Sequence, residues 1–205
     1  MFRQKKIEIQ GYVLTFLISA SAIIIYCFPG LSGLLIYDRQ AILSGELWRL
    51  FTAPWVHFSG SHLFWNILVF STAGFAVNAS KFPCFWIVCG ISILFPGPVF
   101  LLTMPDMACY GGLSGPATGA AAYYCLCSLF RTERENVIWV LILFIMIIKI
   151  FTESVLGESI FAHVEEIPFR VLPGAHIAGY LSAIATLLWN RPQSALPEQK
   201  NRTGS

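Results

Sequence analysis

Charge is what this chain most conspicuously lacks. Only 12% of its 205 residues are charged, against 56% hydrophobic, whereas a soluble domain carries about a quarter charged residues. Too little polar surface is left to cover a water-soluble fold, so the chain is expected in a bilayer. The net charge of +2 is too small and too scattered for a nucleic-acid surface. No H-E-x-x-H run occurs, which removes helix-borne zinc peptidase chemistry. The six cysteines, Cys27, Cys84, Cys89, Cys109, Cys125 and Cys127, contain no C-x-x-C pair. They read as small buried apolar residues, although Cys109, near Ser114 in sequence, keeps a redox or labelling role open. Neither an internal repeat nor an appended soluble domain is visible, and the length fits one domain.

What is present is a series of six apolar segments, over 11–28, 61–78, 83–103, 114–130, 136–151 and 174–190. Each is near the length needed to cross about 30 Å of hydrocarbon. The expected fold is therefore an all-α membrane protein, a bundle of six transmembrane helices. The basic start over 1–10 leads into an apolar stretch, as in a signal peptide. No small-residue cleavage site follows, so the stretch is read as a retained first helix. Residues 1–10 then form a cytoplasmic segment, 11–190 the membrane domain and 191–205 a short polar cytoplasmic tail.

Lysine and arginine set the orientation. With the N-terminus inside, Arg3, Lys5, Lys6, Lys81, Arg131, Arg134, Arg191, Lys200 and Arg202 fall inside. Only Arg39, Arg49 and Arg170 fall outside, while Lys149 sits in the fifth segment. Nine against three is a positive-inside bias that puts both termini in the cytoplasm. The outer loop over 29–60 carries Trp48, Phe51, Trp55 and Phe58. It is either a packed functional element or an aromatic anchor at the interface.

Polar groups inside membrane helices are expensive and point to function. The second segment opens with His62 and Asn66, four apart and so on one face. The fourth opens with Gly111-Gly112-Leu113-Ser114-Gly115 and the sixth with Gly174-Ala175-His176-Ile177-Ala178-Gly179. All three begin at the outer side, although the orientation came from other residues. A serine nucleophile needs a base within reach and donors where oxyanion charge develops. Ser114 stands where a glycine-rich turn enters a helix, with unpaired N–H groups and a positive dipole end nearby. His176 is the candidate base; His62, Asn66 and the Ser114 amide are the candidate oxyanion donors. No Asp or Glu lies in the second, fourth or sixth segment, so a Ser–His dyad is expected rather than a triad. Gly115 and Gly119, and Gly179 and Ala183, form small-x-x-x-small faces that let helices approach closely. Taken singly, each pattern reads equally well as generic helix packing. His163, Glu153, Glu158, Glu165 and Glu166 read as solvated surface or loop contacts.

These residues resemble the rhomboid family of intramembrane serine proteases. Glu46-Leu47-Trp48-Arg49 resembles the tryptophan–arginine signature of the first outer loop, and His57 with His62-x-x-x-Asn66 the second-helix motif. Gly112-Leu113-Ser114-Gly115 is similar to the nucleophile motif, and Ala175-His176-x-x-Gly179 to the last-helix motif. The resemblance implies a six-helix core, a water-accessible outer cavity, a metal-free Ser114–His176 dyad and membrane-anchored protein substrates cut near the outer face. It implies supporting roles for Trp48, Arg49, His57, Gly112, Gly115 and Gly179, and a fifth helix bordering lateral substrate access. The bare six-helix length, Gly119 and the run from Val171 to Gly179 are similar to the rhombosortase subgroup. That subgroup implies a bacterial inner membrane, a site opening to the periplasm and substrates with a C-terminal GlyGly-type anchor. Thr118 departs from the family, which has tyrosine or, in rhombosortases, often histidine there; Pro116 is tolerated in a first helical turn.

Three rivals remain. A catalytically silent rhomboid-like protein would bind and present membrane clients, but both Ser114 and His176 are kept. A CAAX-protease-like peptidase would use Glu165-Glu166-x-x-x-Arg170, Phe58-x-x-x-His62 and His62-x-x-x-Asn66, in the wrong order, with Pro168 in the glutamate motif and His62 used twice. A small transporter would need paired broken helices or intramembrane acidic sites.

Overall fold

The computed structural model describes residues 2–131, 136–156 and 172–190, with side chains from Gln10 onward. Arg134, Glu158, His163, Glu165, Glu166, Pro168, Arg170, Val171 and the tail from Arg191 lie outside the described residues, as do the side chains of Arg3, Lys5 and Lys6.

The first helix, α1 (Phe2–Cys27), begins well before Gly11. Lysine, glutamate and glutamine are good helix formers, so the helix continues past the apolar limit back to Phe2. The loop over 29–60 is built from short pieces: α2 (Pro29–Leu35), β1 (Tyr37–Asp38), α3 (Arg39–Leu43), α4 (Arg49–Thr52) and a 3-10 turn (Ala53–Trp55). It is a packed element. Tyr37, Ile42, Leu50 and Ala53 are buried in a cluster of their own with Phe100, Tyr110 and Ala175. Asp38 caps α3 by accepting the Ala41 N–H at 3.0 Å.

Helix α5 (Gly60–Ala79) is capped by Ser59, whose Oγ accepts the His62 N–H at 3.1 Å. The third apolar segment is two helices, α6 (Phe85–Leu94) and α7 (Pro96–Thr103), meeting at Phe95. Pro96 supplies no N–H to continue the ladder, the usual cause of such a break. After it, Gly97 passes so close to α4 that a Cβ there would lie 2.0 Å from the Leu50 carbonyl oxygen. The strand β2 (Cys109–Tyr110) pairs antiparallel with β1, Tyr37 opposite Tyr110, which ties the first loop to the approach to Ser114. Then come α8 (Ser114–Leu129), α9 (Asn136–Leu156) and α10 (Pro173–Trp189).

Among the described residues, four stretches, Gln10–Cys27, Gly60–Ala79, Phe85–Thr103 and Asn136–Leu156, are long and apolar enough to cross a membrane. Helices α8 and α10 have 16 and 17 residues, short of the roughly 20 that span a typical core. Bulky apolar side chains such as Phe16, Phe64, Trp86, Leu102 and Phe144 face outward, as lipid-facing residues do.

Helix α8 is the centre. It packs against α5, α6, α9 and most extensively α10, through buried Gly115, Ala117, Gly119, Ala120 and Ala122. Lipid tails are as apolar as leucine, so close backbone contact holds such helices together. A Cβ on Gly179 would lie 2.0 Å from the Gly115 carbonyl oxygen, and one on Gly119 would lie 3.0 Å from the Gly179 carbonyl oxygen. The two small-residue faces therefore meet, as their spacing predicts. Of the four long apolar stretches α9 is the least embedded; Leu143 and Glu153 are its buried residues.

Candidate active site

Three local devices shape the turn that delivers Ser114. Gly112 has φ +122, a conformation L side chains rarely adopt. The space is also taken: a Cβ there would lie 2.7 Å from His62 Cε1, 2.8 Å from His62 Nε2 and 3.4 Å from Asn66 Nδ2. The Gly112 N–H donates to the Ala53 carbonyl at 3.2 Å. The next amide, Leu113 N–H, donates to His57 Nε2 at 3.3 Å, while His57 Nδ1 lies 3.1 Å from the Trp55 carbonyl. That pair of partners assigns the ring proton to Nδ1 and the lone pair to Nε2. Burial pushes the His57 pKa down to about 4, so the ring is neutral at pH 7.

Ser114 opens α8, half-buried, with Pro116 in the first turn where its missing N–H costs nothing. The neighbouring Gly115 touches α10: a Cβ there would lie 3.0 Å from the Ala175 carbonyl oxygen. His176 follows Ala175 and is 5% exposed. Thus the residues adjoining Ser114 and His176 are in contact, and those leading into Ser114 rest on His62 and Asn66. His62 and Asn66 are buried on one face of α5. Asn66 Nδ2 is a buried donor without a hydrogen-bond partner among the described residues, a situation that ordinarily calls for an explanation. Thr118 is half-buried one turn below Ser114.

Trp48 and Arg49 act at a distance from this cluster. The Arg49 Nε bonds Glu46 Oε2 at 2.7 Å, and its Nη1 donates to the Gly33 and Ile36 carbonyls at 2.8 and 3.0 Å. Trp48 Nε1 donates to the Leu34 carbonyl at 3.1 Å. Together they fasten the loop over 29–60 to itself. Cys109, the one cysteine near Ser114 in sequence, is exposed on β2.

One expectation is overturned. Glu153 is neither solvated nor in a loop: it lies in α9 and is fully buried. Its Oε2 is 3.1 Å from His176 Nδ1, and both carboxylate oxygens are 2.7 Å from Lys149 Nζ. The helix runs to Leu156, five residues beyond the apolar limit at Phe151, and this carries Glu153 into the bundle. The signal was the pair Lys149 and Glu153 at i and i+4, the spacing of a helical ion pair. An ionisable residue at the end of a membrane helix invites a functional reading.

No curated protein matches the chain. The family model described as the rhomboid domain matches residues 44–191, a stretch that holds every element from α4 to α10. Members of that family are generally intramembrane serine proteases acting on membrane-anchored substrates. With the match running over most of its length, and with several apolar helices, the chain is a multi-pass membrane protein belonging to the rhomboid family.

Proposed function

We propose that the protein is an active intramembrane serine endopeptidase with Ser114 as nucleophile and His176 as general base. The observation that carries this reading is that the residues flanking Ser114 pack on both sides: Gly112 against His62 and Asn66 of α5, and Gly115 against Ala175, the neighbour of His176 on α10. In the proposed reaction Ser114 Oγ attacks the scissile carbonyl carbon as its proton passes to His176. The carbonyl electrons move onto oxygen, where the Ser114 amide, Asn66 Nδ2 and His62 stabilise the negative charge. The C–N bond then breaks, His176 returns the proton to the leaving amine, and water, or another nucleophile in a sortase-like transfer, resolves the acyl-enzyme by the same steps. The orphaned Asn66 donor fits an oxyanion position, because a preorganised donor gains its partner only as charge develops.

The six-span arrangement with cytoplasmic termini and an outward-facing site belongs to the same reading. It rests on nine inner against three outer cations and on three helices opening at one end. Within the family, the rhombosortase similarity makes proteins with a C-terminal GlyGly-type anchor the proposed substrates, and a bacterial inner membrane the proposed location. No observation favours the silent binding factor, whose expected loss of Ser114 or His176 has not occurred. The glutamate pair of the CAAX-like reading lies outside the described residues.

The test is cleavage of a co-expressed reporter with a GlyGly-type anchor by wild type, Ser114→Ala and His176→Ala. Cleavage by wild type alone supports both the dyad and the substrate class. Equal processing by the variants removes the Ser–His assignment. Cleavage of a different membrane anchor, but not the GlyGly type, removes only the rhombosortase assignment.

A further inference from the structure

We propose that Glu153 is a positioning residue for His176, so that the site works as a Ser–His–Glu triad whose carboxylate comes from the fifth long helix. The proposal rests on the Ser114–His176 reading and extends it. Its basis is geometric. Glu153 is fully buried, and its Oε2 stands 3.1 Å from Nδ1 of a histidine that is itself 5% exposed. The approach is short in distance but off the N–H axis, which leaves Nδ1 without an aligned hydrogen bond. Catalytic hydrogen bonds are often misaligned in a resting site and tighten when substrate binds. The division of labour follows from the imidazole ring. A carboxylate at Nδ1 fixes the tautomer with the proton on Nδ1, and the Nε2 lone pair is then the one left to take the serine proton.

Lys149 is the second half of the device. A lone carboxylate in a membrane interior is costly, and Lys149 Nζ, 2.7 Å from both oxygens, offsets its charge. The i, i+4 spacing places the two on one face of α9. Because Lys149 holds both oxygens, the carboxylate is oriented before substrate arrives. Helix α9 has few other buried residues, so this polar contact is also a main attachment of α9 to α10. An ionic tether alone would affect stability; a positioning role must also affect the rate at which Ser114 reacts. That difference makes the proposal testable.

The experiment measures the reaction of the purified full chain in detergent with a fluorophosphonate probe that modifies the active serine. Wild type, Ser114→Ala, Glu153→Gln and Glu153→Asp are compared, with kinact and KI resolved and melting followed in parallel. The expected result is a fall in kinact of at least about tenfold for Glu153→Gln, part of the usual general-base contribution. KI should be unchanged, and Glu153→Asp should recover part of the rate. Equal kinact in wild type and Glu153→Gln, with Ser114→Ala unreactive, overturns the role of Glu153 and leaves Ser114 as nucleophile. Losses in kinact that track lost melting temperature in both Glu153 variants, without recovery by aspartate, also overturn it and leave a tether. If Glu153→Gln does not fold, the Glu153→Asp arm decides: an unaltered melting temperature with lowered kinact supports positioning, and an unaltered kinact overturns it. Labelling of Ser114→Ala at the wild-type rate overturns the Ser–His reading itself, and this proposal with it.

Discussion

Asn66 and His57 show how much one side chain decides here. Asn66 brings a buried amide donor to the turn before Ser114 and leaves it without a partner among the described residues. If that donor meets the oxyanion, Asn66→Ala should lower kcat on a cleavable reporter by about a hundredfold or more with little change in KM. A change confined to KM would instead assign the residue to substrate binding. His57 works through the backbone, accepting the Leu113 N–H. Its folded pKa is about 4, below the ordinary 6.5, so between those values the unfolded chain binds a proton that the folded chain refuses. Stability is therefore full above pH 6.5, falls as pH drops toward 4, and loses no more to this group below that. The linked cost is of the order of 3 kcal/mol. Melting in detergent across pH 4 to 7 should show the decline, and His57→Gln should flatten it.

Among the elements, α8 and α10 are defined by what they leave out. A methyl group on Gly179 would lie 2.0 Å from the Gly115 carbonyl oxygen, and a backbone atom cannot step aside as a flexible side chain does. Gly179→Ala should cost about 1–3 kcal/mol or more, read as a lower melting temperature and faster proteolysis between helices. A neutral result would mean that the two helices separate easily. Most helices were legible in the sequence because a membrane helix must be apolar along its length. The bounds of α5, α8 and α10 differ from the apolar limits by one residue at most on either side. What hydropathy could not see were the ends made of polar residues. α1 runs back through lysines to Phe2, and α9 runs on through Thr152, Glu153 and Ser154 to Leu156. The motif residues were legible because Gly-x-Ser-Gly and His-x-x-x-Asn concentrate at helix starts. Glu153 was not, because its partner His176 is distant in sequence and a carboxylate just past an apolar run looks like loop. The break at Pro96 was written in the sequence as Phe95-Pro96-Gly97-Pro98, yet apolar continuity hides it.

At the scale of the whole molecule, orientation is the property from which the rest of the functional reading hangs. Cys109 is exposed on β2, at the end where Ser114 begins its helix, while half-buried Cys84 lies at the opposite turn between α5 and α6. In intact cells a membrane-impermeant maleimide should label Cys109 and leave Cys84 until the membrane is permeabilised. Labelling should quicken with rising pH, because burial and the nearby Asp38 carboxylate raise the Cys109 thiol pKa. The reverse pattern, Cys84 first, would turn the protein over. It would put the site on the side where the positive-inside count places the termini.

The shortness of α8 has a consequence for the lipid around it. Sixteen residues rise about 24 Å, roughly 6 Å less than the hydrocarbon thickness of a typical bilayer. On the proposed orientation, with the inner end of α8 at the cytoplasmic boundary, Ser114 would lie below the outer one. Either acyl chains there compress toward the protein or water descends to meet the serine. Each ångström of mismatch carries a modest cost of a fraction of a kcal/mol. If α8 crosses the bilayer, the mismatch favours thin membranes over thick ones. On the proposed reading, a peptide bond would then reach Ser114 where the bilayer has already been drawn inward.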